Sequence, residues 1–277
     1  MSTQFKVNAN GVELLGEEAG SGVPVLLLHG LTASRRYVVM GSRALERSGH
    51  RVIMYDARAH GHSSPAPTPD AYTYDLLADD ALAVLDDRDV DRAVLAGASM
   101  GAHTLLNLAL RHPDRVAALV VITPAYSGNS VQEAARLERW DRLARGLRLG
   151  GVDGFLEAYG EPTGASPDFV RTLLTVTRQR LSQHDNPEAL ADALHALPRS
   201  APFGKLSDLA TISVPATVVA SGDAADPEHP EALGLAYAQE IPGAQLVRDP
   251  PGRSPIAWQG SQLSQIIAAA AADSGLG

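Results

Sequence analysis

The chain has 277 residues, 45% of them hydrophobic and 20% charged, enough apolar material for a sizeable core in one α/β unit with an insertion. Acidic residues outnumber basic ones 32 to 23, and the net charge of −9 repels phosphate backbones and anionic lipid, so a small molecule is expected as partner rather than nucleic acid or a membrane. With no cysteine there is no disulfide, thiolate metal site or thiol nucleophile, no cofactor or metal is expected, and any nucleophile must be an oxygen. The start, Met1 to Lys6, lacks the apolar stretch of a signal peptide, and no apolar run approaches a membrane span, which together predict a cytoplasmic protein. Phe5 to Val7 and Val12 to Glu17 flank the turn pair Asn10-Gly11 and predict a hairpin. Val23 to Leu28 is a continuous apolar run, the pattern of a strand buried on both faces. A helix over Ser34 to Ser48, a strand over Arg51 to Tyr55 and a helix over Tyr72 to Leu85 follow. Arg92 to Ala96 reads as a strand, Ser99 to Arg111 as a helix and Arg115 to Ile122 as another buried strand. Strands alternating with helices imply right-handed crossovers and a mostly parallel sheet.

From Tyr126 to about Leu206 the buried-strand pattern gives way to helical patterns broken at Gly150-Gly151, Pro162-Thr163-Gly164 and Pro198. This predicts a helical cap at 126–206 set into a core formed by 1–125 and 207–277. Alternation resumes with a strand over Pro215 to Ala220, a helix over Pro230 to Glu240, a strand over Ala244 to Val247 and a helix over Gly260 to Ala272.

The chemistry begins at Gly97-Ala98-Ser99-Met100-Gly101, where a strand turns sharply into a helix at a nucleophile elbow. Such a turn brings backbones together and strains its central residue, so small neighbours are required. It exposes the Ser99 hydroxyl at the positive end of a helix and leaves the Met100 amide free for an oxyanion.

On these residues the chain resembles the cap-bearing members of the α/β-hydrolase superfamily over essentially its whole length. His29-Gly30-Leu31-Thr32 is similar to the family's oxyanion loop, and the resemblance makes Leu31 the second oxyanion donor, with His29 beside the substrate. Asp56-Ala57-Arg58-Ala59-His60-Gly61-His62-Ser63 is similar to a family loop that supports structure, with Ala59 where that loop carries glycine. His112-Pro113-Asp114-Arg115-Val116 is a further family-like stretch.

The resemblance places a catalytic acid in Ser221-Gly222-Asp223-Ala224-Ala225-Asp226-Pro227; Asp226, before proline, is favoured over Asp223, and turn-forming is the ordinary role of either. The family's histidine belongs on the loop after the last strand, which here reads Asp249-Pro250-Pro251-Gly252-Arg253-Ser254-Pro255. Arg253 stands in its place, and no histidine follows His229. Arginine stays protonated, so it cannot take a proton from Ser99; its roles are pairing with Asp226 or holding a substrate carboxylate. His229 is the first candidate for a relocated base, against the alternative of an exposed histidine at a helix start. His103, one turn beyond Ser99, is the second, against a packing role beneath the elbow.

Three functions remain open on this reading. The first is a serine hydrolase acting on a small ester, thioester or lactone through Ser99, the Leu31 and Met100 amides, His229 and Asp226. The second is a lyase or cyclase that uses the same oxyanion site, and the third a ligand-binding pseudo-hydrolase. Leu143, Phe155, Leu173 and Leu174 in the cap suggest a mainly apolar substrate. Arg136, Arg139, Arg142, Arg145 and Arg148 recur every third residue among Glu133, Glu138 and Asp141, the pattern of a solvated, ion-paired helix. Trp140 and Trp258 read as packing anchors.

Overall fold

Among the described residues eight strands, numbered along the chain, form one sheet in the order 1-2-4-3-5-6-7-8. The computed structural model describes residues 2–161, 167–222, 228–248 and 259–276, without the side chains of Ser130 and Phe169. The hairpin pairs β1 (Thr3–Ala9) with β2 (Val12–Gly20), and its turn residues Asn10 and Gly11 have φ of 48° and 81°. A two-residue turn with both φ positive carries the strand twist through the hairpin. Strand β2 runs antiparallel to β4 (His50–Tyr55); β3 (Val23–Leu28), β4, β5 (Ala93–Ala98), β6 (Val116–Ile122), β7 (Ala216–Ala220) and β8 (Gln245–Arg248) are parallel.

Because side chains alternate along a strand, each central strand feeds two cores. Leu26, Leu28, Leu95, Leu119 and Val121 pack on one face with α2 (Tyr74–Asp87), α3 (Met100–Arg111) and α7 (Glu231–Glu240). On the other face, Val25, Leu27, Val94, Val120 and Ile122 pack against α1 (Ala44–Arg47) and α8 (Gly260–Ala272). The continuous apolar runs of these strands are thus the expected consequence of burial on both sides.

One predicted element is corrected. The helix expected over Ser34 to Ser48 is a single 3₁₀ turn at Arg35–Tyr37 followed by the four-residue α1. Met40 and Gly41 interrupt it with φ of 47° and 74°, a left-handed pair that no α-helix accommodates.

Between β6 and β7 the described chain is helical, with α4 (Ala134–Tyr159), α5 (Pro167–Leu181) and α6 (Pro187–Ala196). Helix α4 is broken at Gly151, whose φ of 59° reverses the chain so that its halves fold together. A Cβ on Gly146 would lie 2.4 Å from the Gly154 carbonyl oxygen, so glycine is required for that approach. Leu143, Leu147, Phe155, Leu181, Leu190 and Leu194 close a separate small core. At its other edge Ala189, Ala193 and Leu197 pack against Tyr74, Leu77 and Met100, seating the helices over the elbow.

Candidate active site

Ser99 joins β5 to α3 with φ 52° and ψ −109°, a conformation that a non-glycine residue adopts only under constraint. The constraint is visible in its glycine neighbours. A Cβ on Gly97 would lie 2.4 Å from the Gly101 carbonyl oxygen, and one on Gly101 would lie 1.9 Å from Leu28 O. Small residues on both sides therefore follow from the close crossing of strand and helix. Met100 is the first residue of α3, where a backbone N–H has no intrahelical acceptor.

Behind Ser99 lies the loop His29–Thr32. The carbonyls of Gly30, Leu31 and Thr32 are each met by a histidine: His29 Nδ1 at 2.9 Å, His60 Nε2 at 2.8 Å and His184 Nε2 at 3.4 Å. Gly30 O also accepts from Ala33 N at 3.0 Å. Since a peptide's C=O and N–H point in opposite directions, holding Gly30 O from behind fixes the direction of the Leu31 N–H. The opposite ring nitrogens of two of these histidines accept from backbone, His29 Nε2 from Ala57 N at 2.9 Å and His184 Nδ1 from Gly61 N at 2.8 Å. Those roles require neutral imidazoles. Burial, reinforced by the neighbouring His60, lowers the pKa of both His29 and His184 to about 3.

His60 is bonded at its other nitrogen to Arg58 O at 2.9 Å, so both its nitrogens face carbonyls. Burial lowers its pKa against the pull of those two carbonyls and of Asp56. The loop that carries it is tied down by Arg58, which forms two 2.8 Å bonds to buried Asp80 and one of 2.7 Å to Ala71 O. At Ala59, where the similar family loop carries glycine, φ is 67°, the conformation for which glycine is suited.

His103 lies under the elbow. Its Nε2 accepts from the amides of Ala125 and Tyr126 at 2.9 and 3.1 Å, and its Nδ1 faces the Tyr74 hydroxyl at 2.9 Å. Burial lowers its pKa to about 3, with the charges of His229 and Arg136 acting in the same direction. Nε2 is thus engaged in holding the segment that leaves β6, and Nδ1 in a contact with α2.

His229 meets Ser99 directly, its Nε2 2.8 Å from the serine Oγ. It lies in the loop between β7 and α7, followed by Pro230 at the helix start. The candidate acids Asp223 and Asp226, together with Arg253 and Trp258, lie outside the described residues.

Ser99, Leu31, Met100, His103 and His229 line one cavity of about 450 Å³, within the range of small-molecule sites. His29 does not border it. Two helices supply its roof through the same spacing: Arg136, Arg139, Trp140 and Leu143 on α4, and Leu173, Val176, Thr177 and Arg180 on α5. Positions i, i+3, i+4 and i+7 share one helical face, so each stripe combines apolar side chains with arginine. Leu143, Phe155 and Leu173 border the cavity as expected of an apolar lining, whereas Leu174 does not. The arginine series is divided. Arg136 and Arg139 turn toward the cavity and pair with Glu228, while Arg142 bonds the Ala158 carbonyl and Arg148 pairs with Asp192 on exposed surface. Trp140 lines the cavity, as does Glu228 beside His229. His184 and Glu228 were not singled out from sequence; their roles depend on long-range placement that local spacing does not carry.

A family model described as the alpha/beta hydrolase fold matches residues 23–253. Among curated proteins, epoxide hydrolase A of Mycobacterium tuberculosis is 38% identical over 126 residues, which cover 44% of this chain and 38% of that enzyme, so the chain spans less than half of that relative's length. Among solved structures, the enol-lactonase of Burkholderia xenovorans LB400 is 25% identical with a TM-score of 0.76, covering 96% of this chain and 98% of that one. A thermophilic esterase of Thermogutta terrifontis, solved with malate bound, is 25% identical with a TM-score of 0.75, covering 98% and 96%.

Proposed function

The chain belongs to the α/β-hydrolase fold family, and on that footing we propose that it is a serine hydrolase whose base has moved to His229. The single observation that carries this reading is the 2.8 Å hydrogen bond between His229 Nε2 and Ser99 Oγ, made inside a cavity large enough for a small ester or lactone. Ser99 attacks the acyl carbon as its proton passes to His229 Nε2, and the Leu31 and Met100 amides hold the oxyanion. Collapse of the tetrahedral intermediate expels the alcohol, which takes the proton from His229 and leaves an acyl-Ser99. Water, deprotonated by His229, then releases the acid and restores the serine. The carboxylate that orients His229 is assigned to Asp226, with Asp223 as the alternative. Residues 126–206 serve as the cap, their apolar stripes excluding water from the reacting carbonyl.

His103 takes no proton in this scheme, because both of its nitrogens already hold backbone and Tyr74. A fluorophosphonate probe tests the assignment. The wild-type protein is labelled at Ser99 and hydrolyses short p-nitrophenyl esters, and Ser99→Ala loses both. Labelling and ester turnover that survive His229→Ala undiminished would remove the proposed base.

A further inference from the structure

The described side chains around the cavity carry a sign opposite to that of the protein. Among the described lining residues the permanently charged groups are Arg136, Arg139, Arg180 and Glu228, three cations and one carboxylate, in a chain of net charge −9. The carboxylate is shared: Glu228 lies 3.4 Å from Arg136 Nε and also pairs with Arg139. One carboxylate between two guanidiniums leaves positive charge in excess among the described side chains, and low-dielectric walls strengthen its field. That field reaches the catalytic floor, for Arg136 helps to lower the pKa of His103 and opposes the rise that burial imposes on the Tyr74 hydroxyl.

The donors are also held in place. Arg139 lies over the rings of Trp140 and Tyr159, with its guanidinium carbon 5.9 and 5.8 Å from their centroids, and Arg180 is 3.4 Å from the Thr177 hydroxyl. Trp140 adds a buried indole N–H that has no hydrogen-bond acceptor among the described residues, an arrangement that ordinarily costs stability unless a ligand supplies the acceptor. Leu143, Phe155, Leu173 and Val176 line the remainder of the roof with apolar surface.

We propose that the cavity selects esters or lactones bearing a carboxylate, whose anionic group is received by Arg139, Arg180 and the Trp140 indole N–H, with Arg136 and Glu228 setting the neighbouring field. This rests on the hydrolase reading and narrows its substrate to an amphiphilic class. The apolar stretch of the substrate lies along the leucines and Phe155, and its carboxylate lies at the arginines. A guanidinium offers a planar fork of donors to a carboxylate, which suits this task better than a point charge does.

The test compares two p-nitrophenyl esters of equal acyl length, the hydrogen glutarate and the pentanoate. The glutarate ester is expected to have a kcat/KM about tenfold higher at low ionic strength, an advantage that shrinks as salt is added. Arg180→Gln and Arg139→Gln, which keep the side-chain stem, each lower the glutarate-to-pentanoate ratio about fivefold or more. Arg142→Gln, on the same helix but outside the cavity, leaves the ratio unchanged. Equal or better turnover of the pentanoate ester by the wild-type protein, or a ratio that neither cavity variant moves, overturns the anion subsite while leaving the hydrolase reading intact. If neither ester is cleaved, the hydrolase reading fails, and the subsite is decided by binding of glutarate alone. A glutarate-induced rise in Tm that the Arg139→Gln, Arg180→Gln double variant loses supports it. No rise, or a rise that the double variant retains, overturns it.

Discussion

Ser99 stands between two unlike groups of polar residues. Behind it, His29, His60, His103 and His184 are buried, and every ring nitrogen faces backbone or the Tyr74 hydroxyl. In front of it, His229, Glu228, Arg136, Arg139 and Arg180 border a cavity. The difference separates histidines that build from the histidine proposed to react. A buried imidazole with both nitrogens committed to the backbone holds geometry and is kept neutral by desolvation, whereas one bonded to a nucleophile's hydroxyl at a cavity wall is free to exchange a proton with it.

The largest effect on the rear group is expected from the elbow that joins the two. Gly101→Ala places a methyl group 1.9 Å from Leu28 O, against backbone that cannot move without shifting β3, and should cost about 3 kcal/mol or more. Chemical denaturation measures this directly. His103→Ala should come next: it strips the acceptor from the Ala125 and Tyr126 amides, and two buried donors left unpaired cost about 2–4 kcal/mol. The comparison predicts that this variant loses stability far more than it loses ester turnover by the fraction that remains folded. A comparable loss of kcat in that folded fraction would place His103 among the reacting groups.

His184 sharpens the contrast, because it reaches the His29–Thr32 loop, the proposed oxyanion loop, from the helical insertion. Its replacement by alanine releases Gly61 N and Thr32 O while leaving Ser99 and His229 in contact. Turnover number should fall about tenfold with little change in KM, as expected when oxyanion donors are less well placed.

The last effect is graded with pH rather than set by one side chain. The pKa values of His29, His103 and His184 are lowered from 6.5 to about 3, chiefly by burial. Below 6.5 the unfolded chain binds protons that the folded one refuses, so stability is complete above that pH and declines as pH falls toward 3. Each of the three histidines adds to that decline within the window. Urea midpoints measured from pH 7 to pH 4 should therefore fall, and replacing His184 by glutamine should make the fall shallower.

Much of the rear group is legible in the sequence because it depends on local pattern. The apolar runs of β3, β5 and β6, the glycines around Ser99 and the Asn10-Gly11 turn each encode their geometry within a few residues. The helix expected at Ser34 to Ser48 failed for a local reason as well, since positive φ at Met40 and Gly41 overrides the apolar spacing. The front group is less legible. Arg136 and Arg139 belong to a period-three series that reads as solvated surface, and only the seating of α4 over the elbow turns two of its members inward. In the rear group His184 is the exception: it is 152 residues from the Thr32 carbonyl that it meets, and nothing in its neighbourhood records that partnership. His229 was a candidate from sequence because the usual place for a histidine holds Arg253, and its contact with Ser99 spans 130 residues.

The central claim is that His229 takes the proton of Ser99, and chemical rescue of His229→Ala tests it most directly. The account predicts that fluorophosphonate labelling of Ser99 slows by about 10³-fold or more in this variant and that added imidazole, filling the vacated space, restores part of the rate without labelling Ser99→Ala. Labelling of His229→Ala at the wild-type rate, with no response to imidazole, would contradict it.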